Sequence, residues 1–319
     1  MAGSPPRKTE SLRDAYGQTL VELGARDPTL VVLDADLSGS TRTQLFGKAY
    51  PQRFFNVGVM EPTMVSLAAG LALGGRTVFA STFAVFAAGH AYNMIRQSVC
   101  YNQANVKIVA THGGLLVGGD GGTHQMLEDL GLMRGLPHMT VVLPADAPTT
   151  RSAVRAIAEF DGPAYVRLTR ENLPVVTDGS FTIGRANELR NGSDLTLIAV
   201  GAMVARALDV AEELHRVGVE ARVIDLASIK PFDEKAILRA ARDTGAILTM
   251  EEHTVLTGIG SLVASATSEN YPVPVRRLGV PDLFGESGDP WALMDRYGLS
   301  KERALEEAWE LLALRGKVQ

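Results

Sequence analysis

One acidic residue, Glu61, stands between a predicted apolar strand and a helix rich in small residues. The strand is expected over Phe54–Gly58, and Pro62 suits the first helical position because its missing N–H would have no partner there. Apolar residues at helical spacing, Leu67 among them, predict that this helix is largely buried. A carboxyl group in such surroundings could exchange a proton with a ligand. The simpler alternative is that it only complements the helix dipole.

A glycine-rich segment, Thr111–Gln125, places His112, Asp120 and His124 at the carboxyl end of a predicted strand. Open α/β sheets bind ligands at this end of their strands. The six glycines of the segment are expected to let the backbone approach a ligand closely. The two histidines and the aspartate match no common metal-ligand spacing, so we predict no metal site in this chain.

Two further groups of aromatic and polar residues follow predicted strands. Phe83 and Phe86 lie three residues apart, and His90 follows one turn later. They are either core aromatics, which is the default interpretation, or a surface on which a flat heterocycle stacks. Arg170 lies just beyond another strand. Such an arginine is usually solvated or paired, but its planar guanidinium also suits a phosphate.

Strands and helices alternate through most of the chain. This pattern predicts an α/β fold of two doubly wound domains, each with a mainly parallel sheet covered by helices on both faces. A polar stretch from Thr169 to Asn191 separates two such series, so we place the boundary near residue 187 and expect domains of residues 1–187 and 188–319. Helices are expected over Phe86–Tyr101 and His124–Gly135, among others.

Composition narrows the class of protein and its partners. The 319 residues carry a net charge of -5 without a basic stripe, so nucleic acid is not an expected partner. The single cysteine, Cys100, permits no internal disulfide and fits a reducing compartment. Met1–Lys8 lacks the apolar core of a signal peptide, and no apolar run is long enough to span a membrane. We therefore expect a cytoplasmic protein without a membrane partner.

Taken together, these segments resemble the C-terminal half of transketolase in order and spacing, from about Arg13 to the last predicted helix. The likeness rests on Glu61 between strand and helix, Thr-Phe-x-x-Phe ending at Phe86, Gly-x-Asp-Gly-x-Thr-His-Gln ending at Gln125, and Arg-x-Asn-Leu-Pro beginning at Arg170. Members of this family use thiamine diphosphate and fold as three α/β domains. This chain resembles the pyrimidine-binding and C-terminal domains only.

The family domain that binds the diphosphate and Mg²⁺ has no counterpart in this resemblance. Gly119-Asp120-Gly121 looks like the start of a diphosphate–magnesium motif, but residues 140–150 contain no asparagine to complete it. The resemblance therefore implies a split-gene transketolase whose partner N-terminal subunit holds the diphosphate and Mg²⁺. It further implies an α2β2 heterotetramer, in which this chain is active only with its partner.

For the cofactor, the resemblance assigns residues by matching positions in the motifs. Glu61 matches the glutamate that hydrogen-bonds to N1′ of the aminopyrimidine and takes part in the proton transfer that activates the cofactor. Phe86, with Phe83 beside it, matches the aromatic pocket in which that ring stacks. The apolar surroundings of these residues agree with that assignment.

Three other positions bear on the cofactor pocket. Asp36 matches an aspartate on the thiazolium side of the cofactor. Pro62 departs from the family pattern, which commonly has Gln or His after the glutamate. Gly89 replaces a third aromatic of the pyrimidine pocket, and His90, which is adjacent, is counted among the cofactor-binding candidates.

For the substrate, the resemblance implies a site for a sugar phosphate. The group that holds the phosphate is assigned to Arg13, Ser40, His112 and Arg170. Asp120 matches an aspartate that recognises a substrate hydroxyl, and His124 matches a histidine near the donor carbonyl and its hydroxyls. Glu61, His112 and His124 are thus the catalytic candidates.

The implied reaction transfers a two-carbon ketol unit from a ketose phosphate to an aldose or aldose phosphate. The sugars and the pathway, pentose phosphate or specialised, stay open. One alternative is the β subunit of a 2-oxo-acid dehydrogenase, which lacks the Thr-His and Asp-Gly-x-Thr-His-Gln pattern. Another is a fragment of deoxyxylulose-phosphate synthase, which usually has Arg-Gly-Asn after the last strand. A non-catalytic regulatory subunit is disfavoured because Glu61, His112, Asp120, His124 and Arg170 are all present.

Overall fold

The computed structural model describes residues 7–318, with side chains through Arg315. The first six residues, on which part of the signal-peptide expectation rests, and Gln319 lie outside this range. Within the described range the strands, in chain order, are β1 (Thr9–Glu10), β2 (Val31–Asp34), β3 (Phe54–Asn56), β4 (Val78–Phe83), β5 (Val106–Thr111), β6 (Thr140–Val142), β7 (Ala164–Arg167), β8 (Leu173–Pro174), β9 (Asn187–Arg190), β10 (Leu195–Ala199), β11 (Ala221–Asp225), β12 (Ser228–Lys230), β13 (Ile247–Thr254) and β14 (Val275–Val280).

The helices, in the same order, are α1 (Leu12–Arg26), α2 (Ser38–Thr41), α3 (Gln44–Ala49), α4 (Glu61–Leu73), α5 (Tyr92–Met94), α6 (Asp129–Arg134), α7 (Ala147–Glu159), α8 (Met203–His215), α9 (Glu234–Thr244), α10 (Ile259–Asn270), α11 (Pro290–Arg296) and α12 (Lys301–Val318). Tighter 3₁₀ turns cover Pro51–Arg53 and Leu115–Asp120, and wider π-type turns cover Val85–His90 and Ile95–Cys100. No helix in the described part has the length and apolar character needed to cross a bilayer.

The strands form two main sheets and one small antiparallel pair, β1 with β8. The larger sheet has the order β12-β6-β7-β5-β4-β2-β3, and its strands are parallel except where β12 meets β6. The second sheet has the order β14-β13-β10-β11-β9, in which only β9 runs antiparallel to its neighbour. Two mainly parallel sheets covered by helices confirm the expected fold class.

The two halves of the chain are linked at the sheets as well as along the backbone. We propose the domain boundary near residue 187, because β9 is the first strand of the second sheet. β12, however, comes from the second half and extends the first sheet, with Ser228 opposite Val142. The sequence pattern predicts neither β12 nor α11, since both are short.

Alternate residues of each buried strand enter two apolar cores, one on each face of the sheets. In β4, Phe79 lies in one core and Val78 and Ala80 lie in the other. Leu197 and Ile198 of β10 divide in the same way. Each core contains residues of both sheets, so the buried apolar surface runs across the proposed boundary and stabilises the packing of one sheet against the other.

One predicted helix begins later than expected. The helix predicted over His124–Gly135 starts at Asp129. The residues before Asp129 form a connection beside the end of β13, where the N–H of Thr254 donates to the carbonyl of Leu127 at 2.8 Å. This hydrogen bond to another part of the chain accompanies the loss of the first helical turn.

A second predicted helix, over Phe86–Tyr101, is interrupted. It is divided between two π-type turns on either side of α5. The N–H groups of Ala91 and Tyr101 bond to the carbonyls of Phe86 and Arg96, five residues earlier, at 3.0 Å each. Such widened turns are common at functional sites, since they reorient the side chains that follow.

Helix α4 is buried on one side only. Its buried face consists of Glu61, Met64, Val65, Ala68, Ala69 and Ala72. Leu67 and Leu73 are 42% and 64% exposed. The expectation that this helix is buried at Leu67 is therefore wrong, and α4 presents an apolar face to the surface of the chain.

Asp146 offers a test of how α7 is fixed to the rest of the first domain. Its buried carboxylate caps α7 by accepting the N–H of Thr149 at 3.0 Å, and it also accepts the N–H groups of Val176 and Thr177 at 2.9 and 2.8 Å. We expect Asp146→Ala to lower the free energy of unfolding by about 2–4 kcal/mol, because several buried donors lose their acceptor. Chemical denaturation measures this change.

The control for this prediction is Asp289→Ala. Asp289 caps α11 through one bond, from the N–H of Ala292 at 2.9 Å, and this bond is exposed. Its removal should cost about 1 kcal/mol. Equal losses for the two variants would contradict the account.

Candidate functional site

The candidate residues lie at one edge of the larger sheet. Because β2, β3, β4, β5 and β7 are parallel, their carboxyl ends meet there. The residues that follow these strands include most of the predicted site: Asp36 after β2, Glu61 after β3, Phe86 and His90 after β4, His112 after β5, and Arg170 after β7. The topology thus brings together residues that are up to 134 positions apart in the chain (170 − 36).

Glu61 is the first residue of α4 and is only 3% exposed. Its Oε2 lies 3.2 Å from Nδ1 of His90, which ends the first π-type turn. Within residues 7–315, no other side-chain hydrogen bond reaches this carboxylate. A carboxylate can accept about four hydrogen bonds, so Glu61 retains hydrogen-bonding capacity for a ligand.

Four rings form a group that we name the aromatic group: Phe83, Phe86, His112 and His124. Phe83 stacks on His112 with ring centroids 3.8 Å apart and on Phe86 with centroids 5.9 Å apart. His124 meets Phe86 edge to face at 5.6 Å. Phe83 is buried and Phe86 is half-buried. The default interpretation, core aromatics, fits Phe83, while Phe86 presents part of its ring at the sheet edge, where a flat ligand could stack.

His112 is held as a neutral imidazole. Its backbone has φ of +58°, an unfavourable value for a residue with a side chain, and its Nδ1 lies 2.9 Å from the hydroxyl of Thr111. Burial first, and then the charges of Arg13 and Arg170, lower the pKa of His112 to about 3. A neutral imidazole offers one donor and one acceptor, so the nitrogen that does not face Thr111 remains for a ligand.

Two arginines lie beside the aromatic group. Arg13 donates to the carbonyls of Ser40 at 3.0 Å and Arg170 at 2.8 Å, and burial lowers the pKa of its guanidinium. Arg170 donates to the carbonyl of Val117 at 2.7 Å and lies 3.4 Å from Oδ1 of Asp120. The structure therefore brings Arg13, Ser40, Arg170 and Asp120 together, and their combined charge suits an anion.

Asp36 lies apart from the aromatic group, toward the strand β3 at the edge of the sheet. It is exposed, and its Oδ1 accepts a hydrogen bond from the side-chain amide of Asn56 at 2.8 Å. Its φ is +66°, and Arg42, nearby along the same connection, has φ of +69°. With His112, three non-glycine residues at positive φ border the site. Such strain tends to persist where the surrounding structure holds a functional geometry.

Sequence reasoning missed a buried charged group beneath the glycine-rich segment. Arg167, at the end of β7, is 2% exposed and donates to Oδ1 of Asp129 at 3.4 Å and to the carbonyl of Glu252 at 2.9 Å. Asp129 also accepts from the hydroxyl of Tyr165 at 2.8 Å. A signal existed: charged residues interrupt otherwise apolar strands at these positions, and buried charges need partners.

The arrangement as a whole suits an aromatic ring that carries a nitrogen acceptor or donor. Glu61 and His90 supply polar atoms at one side, and Phe86 supplies an apolar face. In the described part of the chain, no group of three or more His, Cys, Asp or Glu side chains is placed to hold a metal ion.

Comparison with known proteins assigns each half of the chain to a domain family. The family model for the transketolase pyrimidine binding domain matches residues 8–176, and the model for the transketolase C-terminal domain matches residues 184–303. A protein named as a transketolase C-terminal section in Methanocaldococcus jannaschii is 44% identical over 94% of this chain and 96% of its own length.

Two further similarities concern subunits of transketolases. A 6-deoxy-6-sulfo-D-fructose transketolase subunit from Clostridium sp. is 42% identical, over 94% of this chain and 94% of its own length. A solved structure described as an inactive β4 tetramer of a split gene transketolase has a TM-score of 0.90 and 50% identity, and the alignment covers 96% of this chain and 99% of that one.

His112 provides a direct test of the electrostatics of this site. We expect its imidazole signals in nuclear magnetic resonance to stay constant between pH 5 and pH 8, because its pKa is lowered to about 3. His112→Asn assigns the signal. A titration of His112 near the ordinary value of about 6.5 would contradict the account.

The lowered pKa of His112 also makes the free energy of unfolding depend on pH. The unfolded chain takes up a proton at His112 near pH 6.5, whereas the folded chain does not until about pH 3, so folding is destabilised as the pH falls below about 6.5. His112→Asn should therefore lose less stability than the wild type between pH 7 and pH 5, by on the order of 1–2 kcal/mol.

Proposed function

Because the chain belongs to the transketolase family, we propose that it is the C-terminal subunit of a split transketolase that is active only with an N-terminal partner. The proposed reaction transfers a two-carbon ketol unit from a ketose phosphate to an aldose or aldose phosphate. The observation that carries this proposal is the buried Glu61 carboxylate beside His90, next to an aromatic group that also contains His112 and His124.

The family domains imply the use of thiamine diphosphate, and the residues present fit its pyrimidine end. The Glu61 carboxyl group would share its proton with N1′ of the ring, with His90 at the other side of the carboxyl group. Phe86, backed by Phe83, would support the face of the ring. Asp36 would lie toward the thiazolium side. When bound, the cofactor supplies an electron sink for a carbanion that the protein could not otherwise stabilise.

The neighbouring residues would then act on the sugar. Arg170, with Arg13 beside it, would place positive charge against an anionic terminal group, with Ser40 and the neutral His112 at the same place. Asp120 would accept a hydrogen bond from a substrate hydroxyl, and it lies 3.4 Å from Arg170. His124, half-buried against Phe86, would donate to or accept from the donor carbonyl and its hydroxyls.

The anion is proposed to be a phosphate, and a sulfonate is the second candidate. The relative from Clostridium sp. is a subunit for 6-deoxy-6-sulfo-D-fructose, a sugar that ends in a sulfonate rather than a phosphate. Both groups are tetrahedral anions that guanidinium groups bind. A screen of donor sugars that end in phosphate, sulfonate or a plain hydroxyl would separate them.

The partner is proposed to be an N-terminal subunit that holds the diphosphate and Mg²⁺, in an α2β2 heterotetramer. Two findings support this proposal. The relatives aligned over nearly their whole length are named as a C-terminal section and as a subunit. Leu67 and Leu73 lie on the exposed face of α4, the helix that begins at Glu61, and this face would be covered on assembly. Obligate interfaces typically bury on the order of 2,000–5,000 Å².

Glu61→Gln tests the proposed role of the carboxylate. In the complex reconstituted with the partner subunit, we expect ketol transfer to fall by roughly 10²–10⁴-fold, since proton transfer at the pyrimidine is lost. Steady-state kinetics with a ketose phosphate donor measures this effect.

The matched control is Glu234→Gln. Glu234 is also the first residue of a helix, α9, but it is exposed and lies in the second half of the chain. If Glu61 only complements a helix dipole, the two variants should lose a similar, small amount of stability and keep full activity. That outcome would refute the catalytic role.

Leu67→Glu tests the proposed interface. A charge on the exposed face of α4 should weaken association with the partner subunit at least tenfold, since the charge would have to be desolvated. Leu256→Glu, at a residue that is 58% exposed in the second half of the chain, is the control and should associate normally. Analytical ultracentrifugation of the mixed subunits distinguishes the two; unchanged association of Leu67→Glu would exclude this face.

A further inference from the structure

The glycines of the segment Gly113–Gly122, which we name the glycine loop, face protein rather than open space. A methyl group added at Gly113 would overlap the side chain of Arg167, and one added at Gly114 would overlap both Arg167 and Glu252. Only Gly119 of the six has nothing within 4 Å of such a group. At five of the six positions the missing side chain therefore makes room for other parts of the protein, and close approach of a ligand to the backbone stays a prediction.

Most of the neighbours of the glycine loop belong to the second half of the chain. Pro290 lies against Gly118, the hydroxyl of Ser287 against Gly121, and the carbonyl of Gly285 against Gly122. Gln125, just after the loop, donates to the carbonyl of Glu286 at 2.9 Å. The absence of side chains at Gly118, Gly121 and Gly122 thus lets the second half of the chain approach the backbone of the loop closely.

Glu252 makes the firmest of these contacts. It lies on β13 in the second sheet, is 6% exposed, and its Oε1 accepts the N–H of Leu116 at 2.7 Å. Burial raises the pKa of Glu252 to about 7, although the charge of Arg167 opposes that shift. A carboxylate of one sheet therefore holds the backbone of a loop that follows a strand of the other.

The contact reaches the residues proposed to bind the sugar. Leu116 lies in the 3₁₀ turn Leu115–Asp120. From the other side, Arg170 donates to the carbonyl of Val117 at 2.7 Å and lies 3.4 Å from Asp120. Glu252 and Arg170 thus each hold this turn by a hydrogen bond to its backbone. His112 precedes the turn in the chain, and His124 follows it.

We propose that Glu252 is a positioning residue: from the second half of the chain, it holds the glycine loop in the conformation that presents His112, Asp120 and His124 to the sugar. The part of this inference that concerns the sugar rests on the proposed function. The second domain is then a support for the substrate side of the site, whereas the pyrimidine side, at Glu61 and His90, does not depend on it.

The adjacent Glu251 supplies a matched control. It lies on the same strand and is also buried, and burial raises its pKa to about 7 as well. Its carboxylate accepts the N–H groups of Ile259 at 2.7 Å and Gly260 at 2.9 Å, at the start of α10 in its own domain. Glu251→Ala and Glu252→Ala thus remove the same group from the same strand, and only the second releases the glycine loop.

The test is hydrogen exchange of the full-length chain, read by mass spectrometry over residues 113–122 and 259–270. Glu252→Ala should speed exchange in the glycine loop about tenfold, as expected for loss of one charged hydrogen bond, while Glu251→Ala should act on α10 only. Glu252→Gln, whose amide oxygen can still accept the N–H of Leu116, should restore much of the protection. Unchanged exchange in the loop of Glu252→Ala, or an equal change in Glu251→Ala, would overturn the proposal.

Kinetics of the reconstituted complex tests the link to the sugar. Glu252→Ala should lower kcat/KM for the donor sugar about tenfold and leave the affinity for thiamine diphosphate unchanged. A loss of cofactor affinity equal to the loss in kcat/KM would indicate a general structural role and contradict positioning. The exchange measurement needs neither sugar nor cofactor, so its result holds even if the proposed reaction is wrong.

A second variant keeps the test decisive if Glu252→Ala does not fold. Gly122→Ala would press a methyl group against the carbonyl of Gly285, at a point away from Glu252 but on the same contact, and Gly122 is not at positive φ. It should also speed exchange in the glycine loop. Gly119→Ala, where the added methyl group meets open space, is its control and should leave exchange unchanged.

Discussion

The site is organised around a buried carboxylate, that of Glu61, which has one side-chain partner among residues 7–315. Glu61 is 3% exposed and meets one imidazole nitrogen, that of His90, at 3.2 Å. Burying a charge without full compensation is costly, and a helix N-terminus offsets only part of that cost. This environment supports the proposed role of Glu61, in which a ligand completes its hydrogen bonds.

The second sheet has a role in this picture beyond adding a domain. Its strand β13 brings Glu252 under the glycine loop, and β12 extends the first sheet at its far edge. Both apolar cores run across the two sheets. The substrate side of the site is therefore built by two domains, although each of the residues proposed to touch the sugar comes from the first.

The fold class could be predicted from the sequence because it depends on local periodicity, which alternating strands and helices display directly. The neighbourhood of Glu61 could be predicted for the same reason, since strand, acid and Pro62 are contiguous. What could not be predicted depends on distant contacts. The late start of α6 accompanies the hydrogen bond between Thr254 and Leu127, and the exposure of Leu67 follows from where α4 meets the sheet.

The glycine loop shows the same limit most clearly. Six glycines beside two histidines suggested close approach of a ligand, and the sequence contains nothing nearby to indicate that Glu252, 138 residues after Gly114 (252 − 114), would lie against it. One contact of the aromatic group can be predicted from the sequence: Phe83 stacks with Phe86 because the two are three residues apart. The stacking of Phe83 with His112 depends instead on the pairing of β4 with β5, which the local sequence does not show.

The most direct test is the structure of this chain in complex with its partner subunit and thiamine diphosphate. We expect the Glu61 carboxyl group to lie within about 3 Å of N1′ of the pyrimidine and the ring to lie against Phe86. We expect the phosphates and the metal ion to be bound by the partner. A structure in which this chain binds the phosphates itself, or in which Glu61 contacts only His90 while the ring lies elsewhere, would contradict it.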